Sequence, residues 1–159
     1  MKKSLYLLFI LTLVMACGPK KEKKKSFEYK RTTTENKVEK NKVEKADVNI
    51  ENQGIGPIKS MSFDADINQA LADEGAGIFK QKCTACHMTD RKLIGPAMKG
   101  IYERRSPAWV MNMILNPTEM LQKDETAMAL LKEYNNVMML NQNLSQEEAR
   151  ALAEYFRTL

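Results

Sequence analysis

The chain has 159 residues, with 25 Lys/Arg against 20 Asp/Glu, one histidine, three cysteines and 11 methionines. That length allows one ordinary domain with appendages. The net charge of +5 is unevenly placed: residues 1–17 carry +2, residues 18–62 carry +5 and residues 63–159 carry −2. The basic excess therefore sits outside the stretch able to build a core and has few interleaved aromatics, which excludes a nucleic-acid-binding surface.

In chain order, Met1-Lys2-Lys3 precedes an apolar run from Leu5 to Met15 broken only by Thr12, and then Ala16-Cys17-Gly18. A basic start, a short apolar run and a small residue before the cut describe an export signal, and the run is too short to span a bilayer. Val14-Met15-Ala16-Cys17 resembles a bacterial lipobox, which predicts lipidation of Cys17 and a protein anchored on the periplasmic side of a bacterial membrane. Two acyl chains anchor stably where one does not. The alternative, an ordinary cleaved signal with an incidental cysteine, would leave a free thiol in an oxidising compartment.

Residues 18–62 read as a flexible charged linker. Lys20 to Lys25 is nearly all lysine, and Asn36-Lys37-Val38-Glu39-Lys40 is repeated at once as Asn41-Lys42-Val43-Glu44-Lys45. Its scattered Val and Ile cannot build a core, and Gln53-Gly54-Ile55-Gly56-Pro57 breaks regular structure. Its root-mean-square reach is about 35–40 Å.

From Phe63 the composition becomes that of a small all-α domain, residues 63–159, with helical signals and no alternating strand pattern. A first helix is expected from about Asp66 to Lys82, with Ile67, Leu71, Ile78 and Phe79 facing inward. Ser106-Pro107 opens a second, with Pro107 at its first position. Asn116-Pro117 closes that helix and caps another short turn. Asp124 to Asn135 makes a further helix, and Ser145-Gln146-Glu147-Glu148 is a capping box opening the last, which carries Leu152, Tyr155 and Phe156.

Just after the first helix stands Cys83-Thr84-Ala85-Cys86-His87, and His87 is the chain's one histidine. C-x-x-C-H is the attachment pattern of a covalent c-type haem. Cysteines three apart lie on one side of a helical turn and reach both vinyl groups of one porphyrin, and the next residue turns its imidazole to the iron. A thioredoxin-like dithiol expects a preceding strand, and zinc needs ligands beyond Cys83, Cys86 and His87. With a helix before the motif and a separate role for Cys17, the pattern reads as one covalent haem c with His87 as an axial ligand.

At these residues the chain resembles the class I monohaem c-type cytochromes. Gly75 and Phe79 fall as in that family's N-terminal helix, Leu152 and Tyr155 as in its C-terminal helix, and Ile94-Gly95-Pro96-Ala97-Met98-Lys99-Gly100 matches its G-P-x-L-x-G loop with Met98 for leucine. The resemblance implies a cytochrome c fold around the haem, with the Pro96 carbonyl accepting a hydrogen bond from His87. It also implies a methionine as sixth ligand, and His/Met ligation raises the potential. Met111, Met113, Met120 and Met128 lie in expected helices and read as core filler. Met138 and Met139 fall in the loop before the last helix, in a segment resembling the family's ligand loop. Met139 is the preferred iron ligand and Met138 the alternative, with no protein ligand as a third case. Trp109 and Tyr102 are either neighbours of the haem or ordinary aromatics.

The function implied is single-electron transfer rather than enzymatic catalysis. A monomeric, tethered periplasmic carrier would cycle between a respiratory electron donor and a terminal reductase or oxidase as acceptor. Ser106 to Pro117 and Asn141 to Leu144 also look like small lipoprotein cytochromes accompanying nitrous oxide reductase. The alternatives are a haem subunit fixed in a larger oxidoreductase and a gas- or peroxide-binding haem protein. A peroxidase would use a distal His or Arg acid–base pair, and nothing in the sequence supplies one.

Overall fold

The computed structural model describes residues 48–159. The signal, Cys17 and the Asn36–Lys45 repeat lie outside the described residues. Among the described residues five helices follow in order: α1 (Gln69–Lys82), α2 (Pro107–Leu115), α3 (Pro117–Lys123), α4 (Glu125–Glu133) and α5 (Gln146–Phe156), with a 3₁₀ turn at Ile101–Glu103. Among the described residues no helix is long and apolar enough to cross a membrane.

Four of the five described helices start where a side chain takes up an orphan backbone N–H group, whereas Asn116, expected to cap α3, makes no side-chain cap bond and instead donates its Nδ2 to the Ile55 carbonyl and to Glu119. Ser106 accepts from Trp109 N at 3.1 Å, with Pro107 following. Asp124 accepts from Ala127 N at 2.8 Å. Ser145 and Glu148 form the reciprocal capping box expected for α5. α1 begins at Gln69 rather than Asp66, because Asn68 is the cap, accepting from Leu71 N at 3.1 Å. The carbonyls of Asp64, Ala65 and Asp66 are instead taken by the Arg157 guanidinium. Ile67, expected inside, is consequently exposed. α4 likewise ends at Glu133, short of Asn135, because Asn135 and Asn136 both adopt left-handed φ of 58°.

α1 crosses α5 at Gly75, which is buried against the Ala151 backbone. Phe79 beside it meets Phe156 edge-on at 5.8 Å and Tyr155 at 5.6 Å. With Leu152, Trp109, Met111, Met120 and Ile114 these form one core. Trp109 and Tyr102 belong to this framework: Trp109 Nε1 donates to Asp124 at 3.0 Å and Tyr102 Oη to the Ala153 carbonyl at 2.8 Å. Behind the crossing, Glu154 is buried yet bonded to Arg150, Arg157 and the Asn68 N–H. Burial alone would raise its carboxyl, but those donors outweigh it and hold it below the usual carboxylate range.

The linker expected to run to residue 62 ends earlier, since residues 48–62 lie on the domain as a strap. Asn49 N donates to the Arg104 carbonyl at 3.1 Å and pairs with Arg105 in an isolated parallel bridge. Asn52 donates to Asp124 at 2.8 Å, and its carbonyl accepts from Ser106 Oγ at 2.6 Å. Fully buried Asn112 donates to the carbonyls of Gln53 and Ile58 and accepts from Ile58 N at 3.0 Å. These bonds replace the sheet or helix partners the strap lacks, and Ile55, Ile58, Met61 and Phe63 add apolar contacts to the core.

Candidate haem-binding site

α1 delivers the motif. Cys83 caps its C-terminus, donating to the Phe79 carbonyl at 2.9 Å, and Cys86 N and His87 N both return to the Cys83 carbonyl at 3.0 and 2.9 Å. Lys80 and Lys82 in the last turn complement the helix dipole there. Cys86 is exposed, whereas Cys83 is half-buried against the core. Burial, and then Cys86 beside it, push the Cys83 thiol up to about 11. A redox dithiol needs its thiol pKa lowered, so the electrostatics oppose the thioredoxin-like alternative. The zinc alternative also lacks ligands: among the described residues no group of three or more His, Cys, Asp or Glu is placed to hold a metal.

The segment after the motif folds back to fix the imidazole. The Cys86 carbonyl accepts from Ile94 N at 3.2 Å and Gly95 N at 2.8 Å, while Met98 N and Lys99 N bond to the carbonyls of Met88 and Thr89. This places the Pro96 carbonyl 3.0 Å from His87 Nδ1, the contact implied by the resemblance. With Nδ1–H donating there, the Nε2 lone pair is the one left for a metal. Gly95 backs the ring closely: a Cβ there would stand 2.4 Å from His87 Cε1 and 2.8 Å from Nδ1. The loop pattern flagged Gly95, but only the fold reveals that it is the wall behind the histidine.

The loop after α4 supplies the methionines. Met139 is half-buried and packs against the core, whereas its neighbour Met138 is 54% exposed. The fold thus treats differently two side chains that the sequence left as alternatives.

The donor set and its surroundings fit a haem. Two thiols and an imidazole come from five consecutive residues, and Leu93, Ile94, Val137, Met138 and Leu140 remain 43–68% exposed on the two segments concerned. Large apolar side chains left in the open are candidates for a cover, and a porphyrin face is one. A separate groove of about 370 Å³, lined by Ile58, Leu71, Met111, Gln146, Glu147 and Arg150, shares no residue with this site.

The comparisons with known proteins agree. The family model described as cytochrome c matches residues 72–159. Cytochrome c-551 of Stutzerimonas stutzeri is 39% identical over 46 residues, which span 28% of this chain and 44% of that protein. The structure of a cytochrome c from Rhodothermus marinus is similar at a TM-score of 0.62 with 43% identity, over 65% of this chain and 88% of that one. An engineered form of it gives a TM-score of 0.62 at 42% identity, covering 65% and 89%.

Proposed function

We propose a membrane-tethered, one-electron carrier role for this chain, which belongs to the cytochrome c family. The family carries one covalent haem c, and Cys83 and Cys86 lie in the region where it attaches. When bound, the haem supplies a reversible one-electron change at iron. The observation that carries the carrier reading is the arrangement around His87: Nδ1 is committed to Pro96, Nε2 is left for iron, and Met139 packs against the core from the loop before α5. Ligands on both sides would leave no open position for a substrate, so transfer through the exposed edge is the natural use. His87 and Met139 are then the axial ligands, with Cys83 and Cys86 as thioether anchors.

Lipidation at Cys17 and the charged linker would place the domain on the periplasmic side of a membrane and raise its effective concentration near a respiratory donor and a terminal reductase or oxidase. The deciding experiment is the optical spectrum of membrane-extracted protein, oxidised and reduced, with and without CO. A low-spin spectrum that CO alters only slowly, as the distal ligand dissociates, is expected, and rapid CO binding by the native reduced form would refute the carrier. Met139→Ala should abolish the far-red sulfur–iron(III) band. Loss of that band in Met138→Ala instead would overturn the ligand assignment. Cys17→Ala should move the protein to the soluble fraction, and its retention in washed membranes would sink the anchor.

A further inference from the structure

One contact links the turn after the cysteine–histidine motif to the residue from which the methionine loop departs. The Lys92 ammonium stands over the Tyr134 ring, 4.1 Å from its centroid. Lys92 belongs to the turn riveted to the motif: Leu93 N donates to the Gly95 carbonyl at 3.1 Å, and Ile94 N and Gly95 N both donate to Cys86. Tyr134 is the C-cap of α4, its N–H bonded to the Leu130 carbonyl at 2.9 Å. From it the chain passes through left-handed Asn135 and Asn136, with Asn136 N returning to Leu131 at 2.8 Å and Val137 N to Tyr134 at 3.2 Å. This stiff turn aims the next two residues, Met138 and Met139.

Beyond that turn the methionine loop is weakly held. Val137, Met138 and Leu140 are exposed. Among the described residues, the loop's hydrogen bond to another element is Asn141 Nδ2 to the Leu115 carbonyl at 3.3 Å. Arg104, whose guanidinium bonds the carbonyls of Ala97 and Lys99, brings a second positive charge near Tyr134 from the histidine side.

We propose that Lys92 and Tyr134 are positioning residues, a cation–aromatic clasp that joins the histidine-bearing turn to the methionine loop and so governs how readily the distal sulfur leaves the iron. The inference rests on the reading of Met139 as a ligand. Tyr134 acts through the turn it caps, and Lys92 through Tyr134.

The experiment uses the full haem-loaded chain, reduced and mixed with CO, which enters when the distal position opens. Lys92→Met keeps the aliphatic stem without the charge, and Tyr134→Leu removes the ring. Each should raise the rate of CO binding about two- to fivefold, the range expected for an exposed cation–π contact. Lys92→Arg and Tyr134→Phe keep the cation and the ring face and should bind CO at the parent rate. The double variant Lys92→Met/Tyr134→Leu should be no faster than the faster single variant. A Lys92→Met protein as slow as the parent, effects that multiply in the double variant, or acceleration in the conservative variants would overturn the clasp. Met139→Ala separates the two levels. If it opens the iron while the clasp variants do nothing, the clasp alone fails; if it leaves CO binding unchanged, the ligand reading fails and takes the clasp with it.

Discussion

Replacing Gly75 with alanine tests the helix crossing that places the haem motif. A Cβ at residue 75 would lie 2.1 Å from the Ala151 carbonyl oxygen, 2.5 Å from its carbon and 2.9 Å from Leu152 N. Ordinary contact begins at 3.4 Å, so α1 and α5 must separate by about 1 Å, since backbone cannot rotate aside as a side chain can. A gap of that size forfeits a quarter to a half of the dispersion attraction across it, and overpacking costs about 1–3 kcal/mol. The upper end applies, because buried Ala72, Phe79 and Leu152 hold the same crossing. Alanine's better helix propensity returns about 1 kcal/mol. The net expectation is a loss of about 2 kcal/mol, a fall in Tm on the order of 10 °C. Gly77→Ala is the matched control two residues away, where a new Cβ meets nothing within 4 Å; it should raise stability by up to about 1 kcal/mol. Far-UV circular dichroism melts of both haem-loaded variants decide the matter. Equal shifts, or a Gly75→Ala melt at or above the parent's, would refute the crossing.

Gly95→Ala should push the imidazole off its position against Pro96, lowering haem incorporation and altering the ferric spectrum; a normal spectrum at full loading would count against the close contact. Glu154 contributes a pH dependence of definite sign. Its carboxyl is held below the ordinary value near ~4.3, so its stabilisation is complete above that pH and is lost as pH falls through the folded-state value. Glu154→Gln should therefore destabilise by about 3–5 kcal/mol at neutral pH by leaving Arg150 and Arg157 without their anion. Its deficit relative to the parent should narrow below about pH 4, and denaturant midpoints that keep a constant gap from pH 7 to pH 3 would contradict this. Asn112→Ala strips partners from two strap carbonyls and one N–H. It should cost about 1–3 kcal/mol and raise proteolysis between residues 48 and 62, and unchanged protease resistance would mean that the strap is held otherwise.

Much of the site was legible because its information is local. The motif, the Gly95-Pro96 turn and the two capping signals at Ser106 and Ser145 are read from neighbours in the chain, whereas Asn116 breaks the helix before it without capping the next. The strap was not, because residues 48–62 have no period of their own and are polar enough to pass as linker. Their order comes from Asn52, Asn112 and Asp124, whose partners lie 54 to 72 residues away. Gly56, read as a structure breaker, is a point of close approach, since a Cβ there would fall 2.3 Å from Asn112 Oδ1. Met138 and Met139 share chemistry and neighbourhood, and only the packing of the loop tells them apart. Asn135 and Asn136 end α4 early through a conformation that asparagine tolerates but composition does not announce. The Lys92–Tyr134 contact pairs two residues 42 positions apart by sequence number, each unremarkable alone.

The strap also decides how the domain bears tension. A pull on the chain from its N-terminal side does not load α1 or the cysteines directly. It enters at Asn49, whose parallel pairing with Arg105 and bond to Arg104 take the force first, followed by the Asn52 junction with Ser106 and Asp124. Fourteen residues of pinned chain (49–62) then separate the point of traction from Phe63, and nineteen separate it from the Asn68 cap of α1. A pull from that side therefore meets the strap's hydrogen bonds to Arg104, Ser106 and Asp124 before it meets the cap of α1.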